Sequence, residues 1–195
     1  MTAPDLLVAL APVLDALRGL GARHYVGGSI ASSAHGVPRA SIDADVVAEL
    51  DPAHAAPLVA ALGDGFYVSE ERVRDAIARR ASFNVIHLET MVKVDVFVSK
   101  NRPFDRRAFE RARPATTESG GELPVSSAED TVLAKLEWYR RGGEVSERQW
   151  SDVTGVLRAV RAFDEAYLRQ GAVELGVADL LDRALEEDGQ GREAP

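Results

Sequence analysis

Two aspartates separated by a single alanine, Asp43 and Asp45 in SIDADVV, follow shortly after the run YVGGS, where Gly27 and Gly28 precede Ser29. Side chains two apart on a β-strand project from one face, about 7 Å apart along the chain, so both carboxylates can converge on one ion. A third carboxylate, Asp95, stands in VKVDVFV on the face opposite a row of valines. Neighbouring strands lie roughly 5 Å apart, and if these two segments pair in register, three carboxylates meet at one point. Three uncompensated negative charges repel, and a divalent cation relieves them; a donor set of oxygens alone suits Mg²⁺ or Mn²⁺ better than zinc. A lone Asp-x-Asp pair also fits a strand that merely opens beside a turn, with Asp95 facing solvent, so the carboxylates alone leave both readings open.

The glycines add a second kind of chemistry. A strand that runs into Gly27-Gly28-Ser29 and then a helix presents unpaired backbone N–H groups at a helix start, which favours phosphate, and glycine lets the backbone approach closely. The run is neither a Walker loop nor a G-x-G-x-x-G dinucleotide turn, and taken alone it also fits a plain tight turn.

The elements that must position these groups follow from patterning. With 195 residues the chain can form one domain with a helical appendage, and with no cysteine it has neither disulfides nor thiolate metal sites. The opening MTAPDLLVALAPVLDALRGLG carries Asp5 and Asp15 and lacks a basic n-region, so it reads as an amphipathic helix ending near Gly19 to Gly21 rather than an export signal. No apolar run is long enough to cross a bilayer, so the expectation is a cytoplasmic protein without a membrane role. A formal net charge of −8 argues against a broad surface for duplex nucleic acid.

Further along, RHYVGG predicts a short strand, SIASSAHG a short helix, and ASIDADVVAEL a strand with Ile42, Ala44 and Val46 on one face and Asp43, Asp45 and Val47 on the other. Two helices follow, the second around Glu70 to Arg80, then the strands SFNVIHLE and VKVDVFVS joined as a hairpin near Glu89 to Met91. RPFDRRAFERARP reads as an arginine-rich short helix and ATTESGGELPVSS as a small hairpin or loop. From Ser127, where Asp130 three residues on gives a capping-box start, the chain reads as helix. The expected fold is α+β: a small mixed sheet flanked by helices over residues 1–126, a helical region over 127–188, and a polar tail over 189–195.

Together VGGS, DAD and VKVDVFV resemble the nucleotidyltransferase superfold, the polymerase-β-like family. The texture of VGGSIASSAHGVPRASIDADVV, with EDTVLAKLEWYRRGGEVSERQWSDVTGVL after it, looks most like the small bacterial branch that includes AbiEii-type toxins. The resemblance spans roughly Tyr25 to Leu157. It implies a nucleoside triphosphate whose β- and γ-phosphates are held at Gly27, Gly28 and Ser29, with Mg²⁺ (or Mn²⁺) held by Asp43, Asp45 and Asp95 beside an acceptor hydroxyl. Lys135 would neutralise triphosphate charge, and Arg148 and Asp152 match the later helix of that branch. Arg39 lies where the branch often has a basic residue. The interval between Ser29 and Asp43 is at the long end of the family pattern, and Ala44 replaces a larger apolar residue. The resemblance further implies an acceptor that is RNA, protein or a small molecule, and a cognate antitoxin as a partner.

Without the resemblance, Lys135 equally suits a lysine lying along an apolar helix, and Asp152 a surface partner of Arg148 four residues away. His24, His35, His54 and His87 lack metal-ligand spacing and read as structural. Arg102, Arg106, Arg107, Arg111 and Arg113 read as a solvated helix face, with contact to an RNA end as the other reading. Trp138, Tyr139 and Trp150 fit packing between two helices or stacking on a base. The alternative to an enzyme is a non-catalytic, antitoxin-like binding protein that keeps the fold; intact Asp43, Asp45 and Asp95 favour the enzyme.

Overall fold

Strict alternation builds the centre of the molecule. Ala44, Val46 and Ala48 on one strand, and Val94, Val96 and Val98 on another, are buried, while the residues between them are half-buried on the opposite face. That pattern commits one sheet face to the core and leaves the other, carrying the acids, for a site. The computed structural model describes residues 3–38, 41–117 and 121–193. Its first half runs α1 (Ala3–Gly19), β1 (His24–Val26), α2 (Gly28–Ala34), β2 (Asp43–Ala48), α3 (Ala55–Leu62), β3 (Phe66–Tyr67), α4 (Glu70–Arg79), β4 (Ser82–His87) and β5 (Lys93–Val98). The second half runs α5 (Pro103–Arg111), β6 (Arg113–Thr116), β7 (Glu122–Val125), α6 (Ala128–Arg141), α7 (Glu147–Ala159), α8 (Glu165–Leu175) and α9 (Ala178–Glu193).

Among the described residues the strands form one mixed sheet of seven, in the order β3-β4-β5-β2-β1-β7-β6. The β2–β5 and β1–β7 pairs are parallel and the others antiparallel. The fold is thus α+β, as the patterning predicts. The expected small hairpin in ATTESGGELPVSS is β6–β7, and two features go beyond the patterning: β3, whose two residues are too few to show alternation, and the pairing of that hairpin with the main sheet through Val26 and Val125.

Two apolar clusters hold the molecule together. Leu10, Val13, Leu14 and Leu17 of α1, with Leu58, Val73 and Ile77, cover the valine face of the sheet. Val132, Leu133 and Leu136 of α6 pack with Val153, Val156, Leu157, Leu168 and Leu181 of the three helices after it. Gly171 lets α8 close on α6, since a Cβ there would meet Leu133 at 2.5 Å. Side-chain oxygens of Ser127, Ser146 and Asp164 accept N–H bonds at the starts of α6, α7 and α8. Helix α9 runs on to Glu193, so the expected polar tail continues the helix over residues 189–193.

In the arginine-rich segment Arg106 and Arg113 are exposed, as a solvated face requires, but the other three arginines are differently employed. Arg102 bonds to Asp105 and, at 2.7 Å, to Glu137 of α6; Arg107 pairs with Glu174 at 2.7 Å and Arg111 with Glu129 at 2.9 Å. These arginines clamp α5 onto α6 and α8. Among the described residues no helix is long and apolar enough to cross a membrane.

Candidate active site

Parallel pairing of β2 and β5 sets Asp45 directly opposite Asp95 and Asp43 opposite Lys93. This register brings the three acids of the sequence motif onto one sheet face. Burial first, then repulsion from Asp43 and Asp95, pushes the Asp45 carboxyl up to about 6, while Lys135 and Lys93 pull it down. Asp95 is bonded to Lys93, Nζ to Oδ2 at 2.7 Å, and that bond chiefly raises the lysine's own pKa. Among the described residues, no three His, Asp or Glu side chains stand together as a preformed metal-binding group.

The glycine turn meets the acids from β1. Gly27 donates its N–H to the Asp45 carbonyl at 2.9 Å, so that donor is committed to the sheet and does not face a phosphate. Gly28 has φ +57, and a Cβ there would lie 1.8 Å from Asp45 Oδ2. Only glycine admits this left-handed conformation cheaply while letting a carboxylate press against the backbone. The first intrahelical bond of α2 runs from Ala31 N–H to the Gly27 carbonyl, so the N–H groups of Gly28, Ser29 and Ile30 have no intrahelical acceptor.

Ser29 is buried, and its Oγ lies 2.6 Å from Ser41 Oγ, which donates to the Asp43 carbonyl at 2.8 Å. With Ser41 donating onward, Ser29 donates to Ser41, and the two hydroxyls tie the glycine turn to the first acid. Ser41 went unread in the sequence; its one signal there is a small polar residue two positions before Asp43. Arg39 lies outside the described residues.

Helix α6 brings Lys135 down onto this face. The side chain is buried and donates to Asp152 Oδ2 at 2.7 Å and to Gln149 Oε1 at 3.3 Å. Asp152 is 3% exposed, so it is the interior partner of Lys135 and not a surface partner of Arg148. Arg148 stays exposed and, with Gly28, Ser29, Asp43, Asp45 and Lys135, lines a cavity of about 730 Å³. Asp95 and Asp152 each hold a lysine of the site, one on β5 and one on α6. Trp138, 47% exposed, and Phe97 also line the cavity and meet edge to face at 5.6 Å. Tyr139 turns the other way, to Trp150 at 5.2 Å. The helix-packing reading therefore holds for Tyr139 and Trp150, and Trp138 belongs to the cavity.

Two of the histidines bond backbone carbonyls. His24 Nδ1 meets the Ala22 carbonyl at 2.8 Å, and His35 Nε2 meets the Ser126 carbonyl at 2.7 Å, which fixes α2 against the end of β7.

No protein-family model matches the sequence, and none of the curated proteins does. Solved structures do match in fold. A nucleotidyltransferase-like protein from Paracoccidioides brasiliensis, described as antigenic, superposes with a TM-score of 0.55 at 16% identity, over 95% of this chain and 94% of that one. The lincosamide antibiotic adenylyltransferase LnuA, solved with lincomycin bound, gives 0.52 at 12% identity over 82% of this chain and 99% of its own. The antibiotic-resistance factor ANT(2'')-Ia gives 0.51 at 11% identity over 96% and 97%. The chain has the nucleotidyltransferase fold.

Proposed function

We propose that the protein is a Mg²⁺- or Mn²⁺-dependent nucleotidyltransferase that moves a nucleoside monophosphate from a nucleoside triphosphate to an acceptor hydroxyl. The observation that carries this reading is the contact at Gly28. A glycine whose neighbouring first-turn amides have no intrahelical acceptor presses on a half-buried carboxylate, in one cavity with a buried lysine. A phosphate donor set and a cation donor set therefore adjoin, as a metal-bound triphosphate requires.

The residues suit a divalent cation in their chemistry. Carboxylate oxygens on adjacent strands are hard donors, and their mutual repulsion, which adds to burial in raising the Asp45 pKa, is what a cation relieves. Asp43, Asp45 and Asp95 would hold it. When bound, such an ion supplies charge neutralisation for the triphosphate and lowers the pKa of an acceptor hydroxyl.

The chain's own groups do the rest. The amides of Gly28 and Ser29 hold the terminal phosphates, and the Ser29–Ser41–Asp43 relay, which uses the Ser29 hydroxyl proton, keeps that turn in place relative to the acids. Lys135, fixed from behind by Asp152, is set to meet negative charge that develops on the phosphates. Arg148 at the rim supplies a further cation for the triphosphate. Trp138 and Phe97 offer an aromatic wall for a base or an acceptor.

The acceptor is RNA, a protein or a small molecule. The likeness of VGGS, DAD and the later helices to AbiEii-type proteins favours a bacterial, cytoplasmic toxin held in check by a cognate antitoxin. The test is incubation with each α-labelled ribonucleoside triphosphate and Mg²⁺ against RNA, protein and metabolite fractions. Label transferred with release of pyrophosphate, and lost in Asp45→Asn, supports the reading. Transfer undiminished in Asp45→Asn contradicts it.

A further inference from the structure

The carboxylate that the register sets opposite Asp45 already has a cation on it. Lys93 stands two residues before Asp95 on β5, where both side chains share a face, and its ammonium folds back to bond Asp95 Oδ2 at 2.7 Å. Its neighbour across β2 is Asp43. Within β2 and β5 themselves, Lys93 is the one basic residue beside three carboxylates. The other lysine of the site, Lys135, is buried and secured by Asp152 and Gln149. Lys93 differs on both counts: its side chain is 40% exposed, and Asp95 is its bonded partner. It can swing to solvent without breaking the packing of a helix.

Building on the cation site proposed above, we propose that Lys93 is a displaceable internal counter-ion, which is bonded to Asp95 in the absence of a divalent cation and must leave before that carboxylate can serve one. Two consequences follow from the geometry. The acids are partly neutralised while no metal is bound, so the strands that carry them can pair closely. The site also takes metal more weakly than three free carboxylates would, because each binding event exchanges one charge-assisted bond for another. Lys93 is in this sense a positioning residue that sets metal affinity.

The experiment uses Mn²⁺ alone, without nucleotide, at one fixed neutral pH, with bound and free ion separated by electron paramagnetic resonance. Wild type, Lys93→Met, Lys93→Gln and Asp45→Asn are compared after their unfolding curves are recorded. The expected result is Mn²⁺ affinity raised about ten-fold or more in both Lys93 variants relative to wild type, the scale of one charge-assisted bond, with binding lost in Asp45→Asn. Equal or weaker affinity in the Lys93 variants, with wild-type binding still dependent on Asp45, overturns the role of Lys93 and leaves the cation site standing. Absence of Mn²⁺ binding in wild type and in both Lys93 variants overturns the two together.

Discussion

Removing the charge of Asp152 while keeping its shape, as Asp152→Asn, takes away the carboxylate bonded to a buried ammonium. Lys135 is 5% exposed, and its bond to Asp152 at 2.7 Å is shorter than its contact with Gln149 at 3.3 Å. A neutral amide cannot replace the lost charge. Breaking a buried pair from one side typically costs about 3–5 kcal/mol, a large share of the ~5–15 kcal/mol by which a domain of this kind is stable. Lys135→Met, which leaves Asp152 buried without its ammonium, should cost a similar amount. The double variant Lys135→Met/Asp152→Leu should recover most of the loss, because neither charge then has to be desolvated. The assay is urea unfolding followed by tryptophan fluorescence, assembled as a double-mutant cycle. The double variant should fold and still fail to bind nucleoside triphosphate, which separates the stability role of the pair from the proposed charge role of Lys135. Single-variant losses below about 1 kcal/mol, or a double-variant loss equal to the sum of the two, would refute the buried-pair reasoning.

Three further outcomes follow from the site. Gly28→Ala should lose nucleoside triphosphate affinity by more than about ten-fold by calorimetry, beyond the ~1–2 kcal/mol backbone cost of a left-handed alanine, because its Cβ collides with Asp45. Gly21→Ala is the control: it has φ +70 and open space, so it should show the backbone cost alone. Asp45→Asn should stabilise the metal-free protein at neutral pH. The folded-state carboxyl is raised to about 6, so the folded form binds the proton more tightly and wild-type stability falls as pH rises from the ordinary carboxylate range to about 6, then levels off. The difference from the asparagine variant should grow over that window to on the order of 3 kcal/mol, read from urea midpoints at several pH values. Ser41→Ala should cost about 0.5–1.5 kcal/mol of stability in the same assay and weaken triphosphate binding several-fold, through loss of the Ser29–Ser41–Asp43 relay.

Much of the sheet was legible because period-two alternation is a strong signal wherever one face is buried. Ala44, Val46, Val94 and Val96 announce it, and the acids between them fall on the other face by necessity. The pairing of β2 with β5 could be posed only as a condition, since register between strands so far apart in sequence is set by three-dimensional packing. The two-residue strand β3 has too few alternating positions to register, and the β6–β7 hairpin, legible from Gly120-Gly121, carries no sign of the single parallel contact that joins it to β1. Polar groups were harder still. Nothing in the spacing of Lys135 and Asp152 says that they face each other across two helices. Arg148, four residues before Asp152, is the nearer candidate in sequence and the wrong partner. Ser41 acts through side-chain reach, which a pattern of residue types does not encode. The arginines of α5 look like a solvated strip because their acidic partners, Glu137, Glu174 and Glu129, come from helices much later in the chain.

The most direct test of the central claim is calorimetric titration of the four ribonucleoside triphosphates into wild type and Asp43→Ala/Asp45→Ala, each with and without Mg²⁺. Binding of at least one nucleotide that requires Mg²⁺ and disappears in the double variant is the predicted result. Binding that is indifferent to both the metal and the two aspartates, or no binding of any of the four, would contradict it.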